Sequence, residues 1–194
     1  MEQLIAQQKE RVRKKLLGLL ASFSPSYLKA LSEKVQEQVL HSPLFQEARS
    51  IAIYSPYRGE VETGLLFEQA QAEGKQITYP YIASEGHALL FYGIDSLEQL
   101  TQSSWGPLAP DLALSLQKVG MEEIDLMLIP ALAYDLSGWR LGRGKGFYDR
   151  TLKGFKGIRL GIAYDFQRVS AVPHQEGDEP VQWLATETGF YQTS

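Results

Sequence analysis

The strongest constraint on the fold is a short, uninterrupted apolar run in the second half of the chain. Residues 125–130 read Asp-Leu-Met-Leu-Ile-Pro, so four apolar residues follow one another with no polar residue between them. A strand with one face in water alternates apolar and polar residues, whereas a strand buried on both faces does not. Because strands of the second kind occur in parallel sheets covered by helices, the run predicts the centre of an α/β sheet.

Segments of helical and strand character alternate along the rest of the chain. Recurring apolar residues predict helices at 2–20, from Pro25 (with Ser24 as N-cap) to Val39, from about Thr63 to Gly74, and from a glycine-rich segment to about Gly154. Short β-rich runs predict strands at 50–55, 76–80, 88–92, 125–130, 158–163, 182–186 and 189–191. Asp95 and Glu98 are predicted to form a capping box, and the prolines at 105–110 predict a loop.

This alternation predicts the architecture of the whole chain. We expect an open, mostly parallel sheet with helices on both faces, a three-layer, Rossmann-like α/β fold. With 194 residues the chain is long enough for one domain with a well-buried core, so residues 1–194 are interpreted as a single domain.

Composition and charge exclude several classes of function. The net charge is −4, so no global positive field would recruit nucleic acid or an anionic membrane. The chain has no cysteine, which excludes disulfides, thiolate metal sites and thiol catalysis. No apolar run approaches the length of a membrane span, and the N-terminus has no signal-peptide pattern. We therefore expect a cytoplasmic protein, and a monomer, that binds neither nucleic acid nor membrane.

The segment Arg140-Leu-Gly-Arg-Gly-Lys-Gly-Phe-Tyr-Asp149 is the candidate phosphate-binding element. Its glycines leave backbone amides open to an anion. Arg143 and Lys145 lie where a helix should begin, a position that disfavours cations unless an anion binds there. The glycine spacing matches neither a Walker A loop nor the Rossmann fingerprint. The alternative is a flexible surface loop whose charges are solvated.

The same segment closely resembles the signature of the 5-formyltetrahydrofolate cyclo-ligase (methenyltetrahydrofolate synthetase) family. The preceding residues 128–135, Leu-Ile-Pro-Ala-Leu-Ala-Tyr-Asp, are similar to the strand and turn that lead into that signature. Weaker matches follow the family's order along almost the whole chain: Lys9-x-x-x-Arg13, Gly59-Glu-Val-Glu-Thr63, and Val172-Pro173 followed by Asp178.

The resemblance implies an enzyme that uses ATP and Mg²⁺ to convert 5-formyltetrahydrofolate, a reduced folate, into 5,10-methenyltetrahydrofolate with release of ADP and phosphate. It implies that the formyl oxygen is phosphorylated before the ring closes. Arg143 and Lys145 are then the catalytic candidates. The expected nucleotide-binding residues are Lys9, Arg13, Arg140, Leu141, Gly142, Arg143, Gly144, Lys145, Gly146, Phe147 and Tyr148. For Lys9 and Arg13 the alternative is a solvated basic face shared with Arg11, Lys14 and Lys15.

The resemblance also implies metal and substrate residues. Asp149 and Asp178 are the Mg²⁺ candidates, although each also fits an ordinary role, in a first helical turn or in a solvated loop. Glu62, Tyr57, Trp105 and Tyr148 are the candidates for contact with the folate. The aromatic candidates could instead be core residues, and Glu62 could belong to the first turn of a helix.

One departure from the family pattern leaves other classes of function open. The family commonly has an acidic residue where this chain has Gln182. A protein that sequesters folate or nucleotide without turnover is therefore an alternative. A different enzyme on the same scaffold, such as a sugar-phosphate isomerase that uses the basic loop without ATP, is another, since a fold does not fix a function.

Overall fold

The apolar run forms a strand at the centre of the sheet. In the computed structural model, which describes residues 2–194, Leu126–Pro130 pairs with a parallel strand on each side. Its four apolar side chains are all buried. The absence of alternation therefore predicted both the burial and the parallel pairing correctly.

Five helices accompany the sheet: α1 (Glu2–Ser22), α2 (Pro25–Leu40), α3 (Pro43–Glu47), α4 (Gly64–Ala72) and α5 (Phe147–Leu152). Helix α2 begins as predicted, because Ser24 accepts a hydrogen bond from the Tyr27 amide and Pro25 occupies the first turn. The short helix α3 was not predicted, although Ser42 and Pro43 repeat the same signature at its start.

Within residues 2–194, eight strands form one sheet: β1 (Ser50–Ala52), β2 (Gln76–Tyr81), β3 (Leu90–Gly93), β6 (Lys118–Val119), β7 (Leu126–Pro130), β10 (Ile158–Ile162), β11 (Trp183–Thr186) and β12 (Gly189–Gln192). Their order across the sheet is β12-β11-β10-β7-β1-β2-β3-β6. The central pairs from β2 to β11 are parallel, and the pairs at both edges are antiparallel. Two small ribbons lie outside it, β4 (Leu100–Gln102) with β5 (Leu108–Pro110) and β8 (Ala133–Tyr134) with β9 (Arg140–Leu141).

The two faces of the sheet carry separate cores. Leu126, Leu128 and Leu160 point to one face, which α2, α3 and α4 cover. Met127 and Ile129 point to the other face, which packs against Leu152 and Phe155 at the end of α5 and against Tyr134 of β8. Alternate residues of one strand enter opposite cores, as the period of a strand requires. The predicted coverage on both faces is confirmed, although α5 is the only helix within residues 2–194 that closes the second face.

Three local predictions need correction. Residues 108–110 are not loop, because they pair antiparallel with residues 100–102 despite their prolines. The capping box is formed by Ser96 and Gln99 instead of Asp95 and Glu98, because the 3₁₀ turn that it caps starts at Leu97. Helix α5 ends at Leu152, two residues before the predicted Gly154.

The order of the strands creates a crevice at one edge of the sheet. From β1 the chain moves through α4 to β2 on one side, and from β7 it moves through α5 to β10 on the other side. Crossovers that leave in opposite directions open a gap beyond the carboxyl ends of the two central strands. No helix of residues 2–194 has the length and apolar character needed to cross a membrane.

Candidate active site

A cavity of about 910 Å³ occupies that crevice. The residues that follow the central strands form its floor: Tyr54 and Ser55 after β1, Pro80 and Tyr81 at the end of β2, and Pro130 and Ala131 at the end of β7. The glycine-rich segment, α1 through Lys9 and Arg13, and the β4–β5 ribbon form its walls. The topology of the sheet thus brings distant parts of the chain to one site.

The glycine-rich segment leaves β9 and enters α5 along the cavity wall. Gly144 and Gly146 have φ angles of +101° and +67°, a region that side chains with a Cβ rarely adopt. Within the part of the chain that the structure describes, no backbone N–H of residues 142–147 donates a hydrogen bond to a protein acceptor. These amides are therefore open to an anion in the cavity.

Arg140 is the most deeply buried cation of the segment, with 3% of its side chain exposed. Its Nη2 donates to Asp149 Oδ1 at 2.7 Å, and its guanidinium lies 5.8 Å from the centre of the Tyr148 ring. Its Nε has no hydrogen-bond partner within residues 2–194. A buried donor without a partner costs about 1–3 kcal/mol. Burial raises the pKa of Tyr148 well above its ordinary value, which keeps its hydroxyl neutral.

Arg143 and Lys145 already have carboxylate partners, which corrects the argument that their position requires a bound anion. Arg143 Nε donates to Glu60 Oε1 at 3.0 Å, and Lys145 Nζ lies 2.7 Å from Glu85 Oε1. The second pair is exposed on both sides and contributes little. Helix α5 has six residues, so its dipole is also smaller than expected.

Helix α1 presents Lys9 and Arg13 to the cavity, while Arg11, Lys14 and Lys15 are exposed. Lys9 pairs with Asp178, and Arg13 Nε donates to the Gly142 carbonyl at 3.0 Å. The alternative of one shared solvated face therefore holds for the second group of side chains only. Lys9 and Arg13 tie α1 to the two loops that border the cavity.

The aromatic candidates lie on the side facing the glycine-rich segment. Trp105, at the tip of the β4–β5 ribbon, meets Phe147 edge-to-face at 5.3 Å between ring centres. Gly106 packs so closely on Tyr57 that an added Cβ would lie 2.6 Å from its Cζ. Both contacts hold the tip of the ribbon over the cavity, so Tyr57 and Trp105 are wall residues, whereas Phe147 lines the cavity and also packs against the second core.

The structure does not place Glu62 in the cavity. Its backbone N–H donates to Ser32 of α2, and its exposed side chain lines a separate groove beside that helix. Glu60, two residues earlier, lines the cavity with 11% of its side chain exposed. Arg58 and Gly59 between Tyr57 and Glu60 both have positive φ, which produces a tight turn. This turn directs Glu60 inward, and nothing in the sequence alone distinguished it from Glu62.

Comparisons with known proteins agree with this arrangement. Residues 5–187 match the model of the 5-formyltetrahydrofolate cyclo-ligase family. The chain belongs to this family. The 5-formyltetrahydrofolate cyclo-ligase of Haemophilus influenzae is 28% identical over 179 residues, which cover 90% of this chain and 95% of that protein. The Escherichia coli K12 enzyme of the same name is 27% identical over 176 residues, 88% of this chain and 96% of that protein.

Solved structures of related proteins confirm the predicted fold. The 5,10-methenyltetrahydrofolate synthetase of Aquifex aeolicus superposes with a TM-score of 0.83 at 33% identity, covering 95% of this chain and 92% of that one. The synthetase of Mycoplasma pneumoniae gives a TM-score of 0.73 at 23% identity, covering 92% and 98%, which supports the fold alone. The isomerase alternative finds no support in these likenesses.

Two remaining features of this cyclo-ligase family member bear on its activity. Asp149 and Asp178 both line the cavity, and the Glu179 amide donates to Asp149, so the loop with Asp178 adjoins α5. Gln182 lies outside the cavity, directly before β11, and its side chain accepts a hydrogen bond from the Arg159 amide of β10. The departure from the family pattern at Gln182 therefore leaves the lining of the cavity unchanged.

Proposed function

We propose that the chain is an ATP- and Mg²⁺-dependent 5-formyltetrahydrofolate cyclo-ligase, which forms 5,10-methenyltetrahydrofolate and releases ADP and phosphate. The observation that carries the proposal is that one cavity is lined by the cationic glycine-rich segment, here called its cationic side, and by aromatic side chains, here called its aromatic side. A triphosphate suits the first side and a pterin with its aromatic substituent suits the second. Family membership supports the same pairing of ligands.

On the cationic side, we propose that the open amides of residues 142–147 and the side chains of Arg140, Arg143 and Lys145 hold the phosphates. Lys145 is exposed and paired only with an exposed carboxylate, so it can exchange Glu85 for a phosphate at little cost. Arg140 lines the cavity, and its ion pair with Asp149 holds its positive charge in place there. Lys9 and Arg13 support this side by fixing α1 against it.

The donor set fits Mg²⁺ that is held mostly by phosphates and water. Within residues 2–194 there is no group of three or more His, Asp or Glu side chains that could hold a metal alone. Asp149 and Asp178 each use one oxygen for a cation, which leaves the other oxygen available. We propose these two carboxylates as the ligands, since Mg²⁺ prefers one or two carboxylates together with substrate phosphates. Bound there with the nucleotide, Mg²⁺ would neutralise charge on the phosphate oxygens.

On the aromatic side, we propose that Tyr57, Trp105 and Tyr148 contact the folate and that Glu60 takes the acidic role predicted for Glu62. Glu60 is a buried carboxylate inside the cavity, whereas Glu62 lies outside it. Burial raises the pKa of Glu60, and the Arg143 guanidinium opposes that shift. A carboxylate in such surroundings is suited to accept hydrogen bonds from the amino and ring N–H groups of a pterin.

The reaction depends on holding the formyl group of the folate next to the terminal phosphate of ATP. The formyl oxygen attacks the terminal phosphorus of ATP and ADP leaves. N10 then attacks the activated formyl carbon, loses its proton, and phosphate departs. No protein nucleophile is needed, so the chain acts by positioning the reacting atoms and by stabilising charge on the transferring group. Removing one charged donor at that group should lower turnover roughly a hundredfold or more.

Near-ultraviolet absorbance tests the proposal, because the methenyl product absorbs where the formyl substrate does not. Purified protein with 5-formyltetrahydrofolate should develop the chromophore only when Mg-ATP is added. Lys145→Ala should lose it, and the matched control Lys156→Ala should keep it, since Lys156 is exposed and lies outside the cavity. Nucleotide binding without any chromophore would contradict the assignment and favour the binding-protein alternative. The predicted monomeric state and cytoplasmic location stay predictions.

A further inference from the structure

An ion pair joins the two sides of the cavity. Glu60 belongs to the tight turn on the aromatic side, and Arg143 belongs to the glycine-rich segment on the phosphate side. Their side chains meet at 3.0 Å between Arg143 Nε and Glu60 Oε1. Arg143 Nη2 also donates to the Tyr57 carbonyl at 2.8 Å, and the guanidinium lies 5.2 Å from the centre of the Tyr57 ring. Arg143 is therefore held by the aromatic side.

The two partners differ in what they lose when the pair separates. Glu60 has 11% of its side chain exposed, and among residues 2–194 its other oxygen accepts only the Tyr57 amide, at 3.1 Å. Arg143 is more exposed, at 27%, and phosphates are good alternative partners for it. A buried charge left without its partner is strongly destabilising, whereas a charge that changes partners is not. Arg143 also leaves the neutral carbonyls of Tyr57 and Arg58 when it moves, but the main cost falls on Glu60, which is the charged partner.

We propose that the Glu60–Arg143 pair couples the two substrates, so that folate binding releases Arg143 to the phosphates of the nucleotide. This inference rests on the proposed function. A nucleotide that draws Arg143 away by itself leaves Glu60 buried and uncompensated. A pterin that donates N–H groups to Glu60 removes that penalty and frees Arg143. Each substrate therefore strengthens the binding of the other.

Linkage makes the coupling reciprocal and measurable. If folate lowers the Kd for nucleotide by some factor, nucleotide lowers the Kd for folate by the same factor. Coupling of this kind typically amounts to about fivefold to 150-fold in affinity. Neutralising Glu60 should abolish the coupling without weakening the binding of nucleotide. Arg143 would be free from the start, so nucleotide would bind without folate at least as tightly as it binds the unmodified chain.

Isothermal titration calorimetry with a non-hydrolysable ATP analogue, Mg²⁺ and 5-formyltetrahydrofolate tests the proposal. In the unmodified chain, saturating folate should lower the Kd of the analogue by about fivefold or more, with the reciprocal factor for folate. In Glu60→Gln the factor should fall below about twofold, and the analogue should bind without folate as tightly as before or more tightly. Arg143→Gln should also lack coupling. Glu68→Gln, an exposed residue outside the cavity, is the matched control and should keep it.

The outcomes separate this inference from the proposed function. If both ligands bind the unmodified chain independently, the coupling is wrong and the cyclo-ligase assignment stands. If Glu60→Gln retains the full factor, or weakens nucleotide binding in the absence of folate, the role of Glu60 is wrong. If neither ligand binds the unmodified chain, the proposed function fails and the coupling fails with it. The measurement on the unmodified chain needs no variant to fold.

Discussion

Asp135 offers a stability test of how the phosphate side is held in place. Its carboxylate is 3% exposed and accepts three backbone hydrogen bonds, from Ser137 and Trp139 at 3.0 Å and from Val172 at 2.7 Å. It thus fixes the turn between β8 and β9 and attaches to it the segment that leads to Asp178. Hydrogen bonds to a charged group contribute about 1.5–3 kcal/mol each, giving an upper bound of about 4.5–9 kcal/mol for Asp135→Ala.

The expected loss is smaller than this bound for two reasons. In the variant, water can bind the partly buried Ser137 and Trp139 amides. Folding of the variant also no longer removes a carboxylate from water. We expect about 3–5 kcal/mol in the free energy of unfolding, or a Tm about 6–20 °C lower for a chain of this size. Urea and thermal unfolding followed by circular dichroism measure it. Asp95→Ala is the control, because that side chain is exposed and outside the cavity, and should stay within about 0.5 kcal/mol. A loss below about 1 kcal/mol for Asp135→Ala would refute the reasoning.

Three further predictions follow from the cavity and its surroundings. In steady-state kinetics, Glu60→Gln should raise the KM for folate about tenfold or more, whereas Glu62→Gln should leave it within about twofold. The reverse order of the two KM values would return the acidic folate-binding role to Glu62. Because burial raises the pKa of Glu60 and its carboxylate form accepts pterin N–H groups at both oxygens and more strongly than the protonated acid, kcat/KM should fall as the pH drops through that raised pKa. This decrease in kcat/KM at low pH should be missing in Glu60→Gln. A pH profile identical to that of the unmodified chain would contradict the proposed role of Glu60. Gly161→Ala should cost about 1–3 kcal/mol in urea unfolding, since the new Cβ would lie 2.6 Å from the fully buried Tyr134 ring.

The sequence predicted those parts of the fold that depend on local patterns. The apolar run of β7 determined the sheet type, and Ser24 with Pro25 determined where α2 begins. The β4–β5 ribbon was missed because its prolines suggest a loop, whereas its pairing depends on contacts between segments. Such contacts are decided by tertiary packing and not by the propensity of either segment.

The sequence predicted the part of the candidate site that the glycine-rich segment forms. The glycine-rich segment identified one wall of the cavity because its residues are adjacent in sequence. Glu60 was missed because its orientation depends on positive φ at Arg58 and Gly59, and only the glycine suggested a turn there. The partners of Arg143 and Lys145 were also hidden, since Glu60 and Glu85 lie more than fifty residues away in the chain. A bound anion was therefore inferred where protein carboxylates already balance the charge.

The most direct test of the central claim compares the amounts of two products from the same reaction. Purified chain would be mixed with 5-formyltetrahydrofolate and Mg-ATP, the methenyl product followed by absorbance and ADP followed by a coupled assay. The account predicts equal amounts of ADP and methenyl product at every time point, and neither when folate or ATP is omitted. ADP formed without methenyl product, or methenyl product formed without ADP, would contradict it.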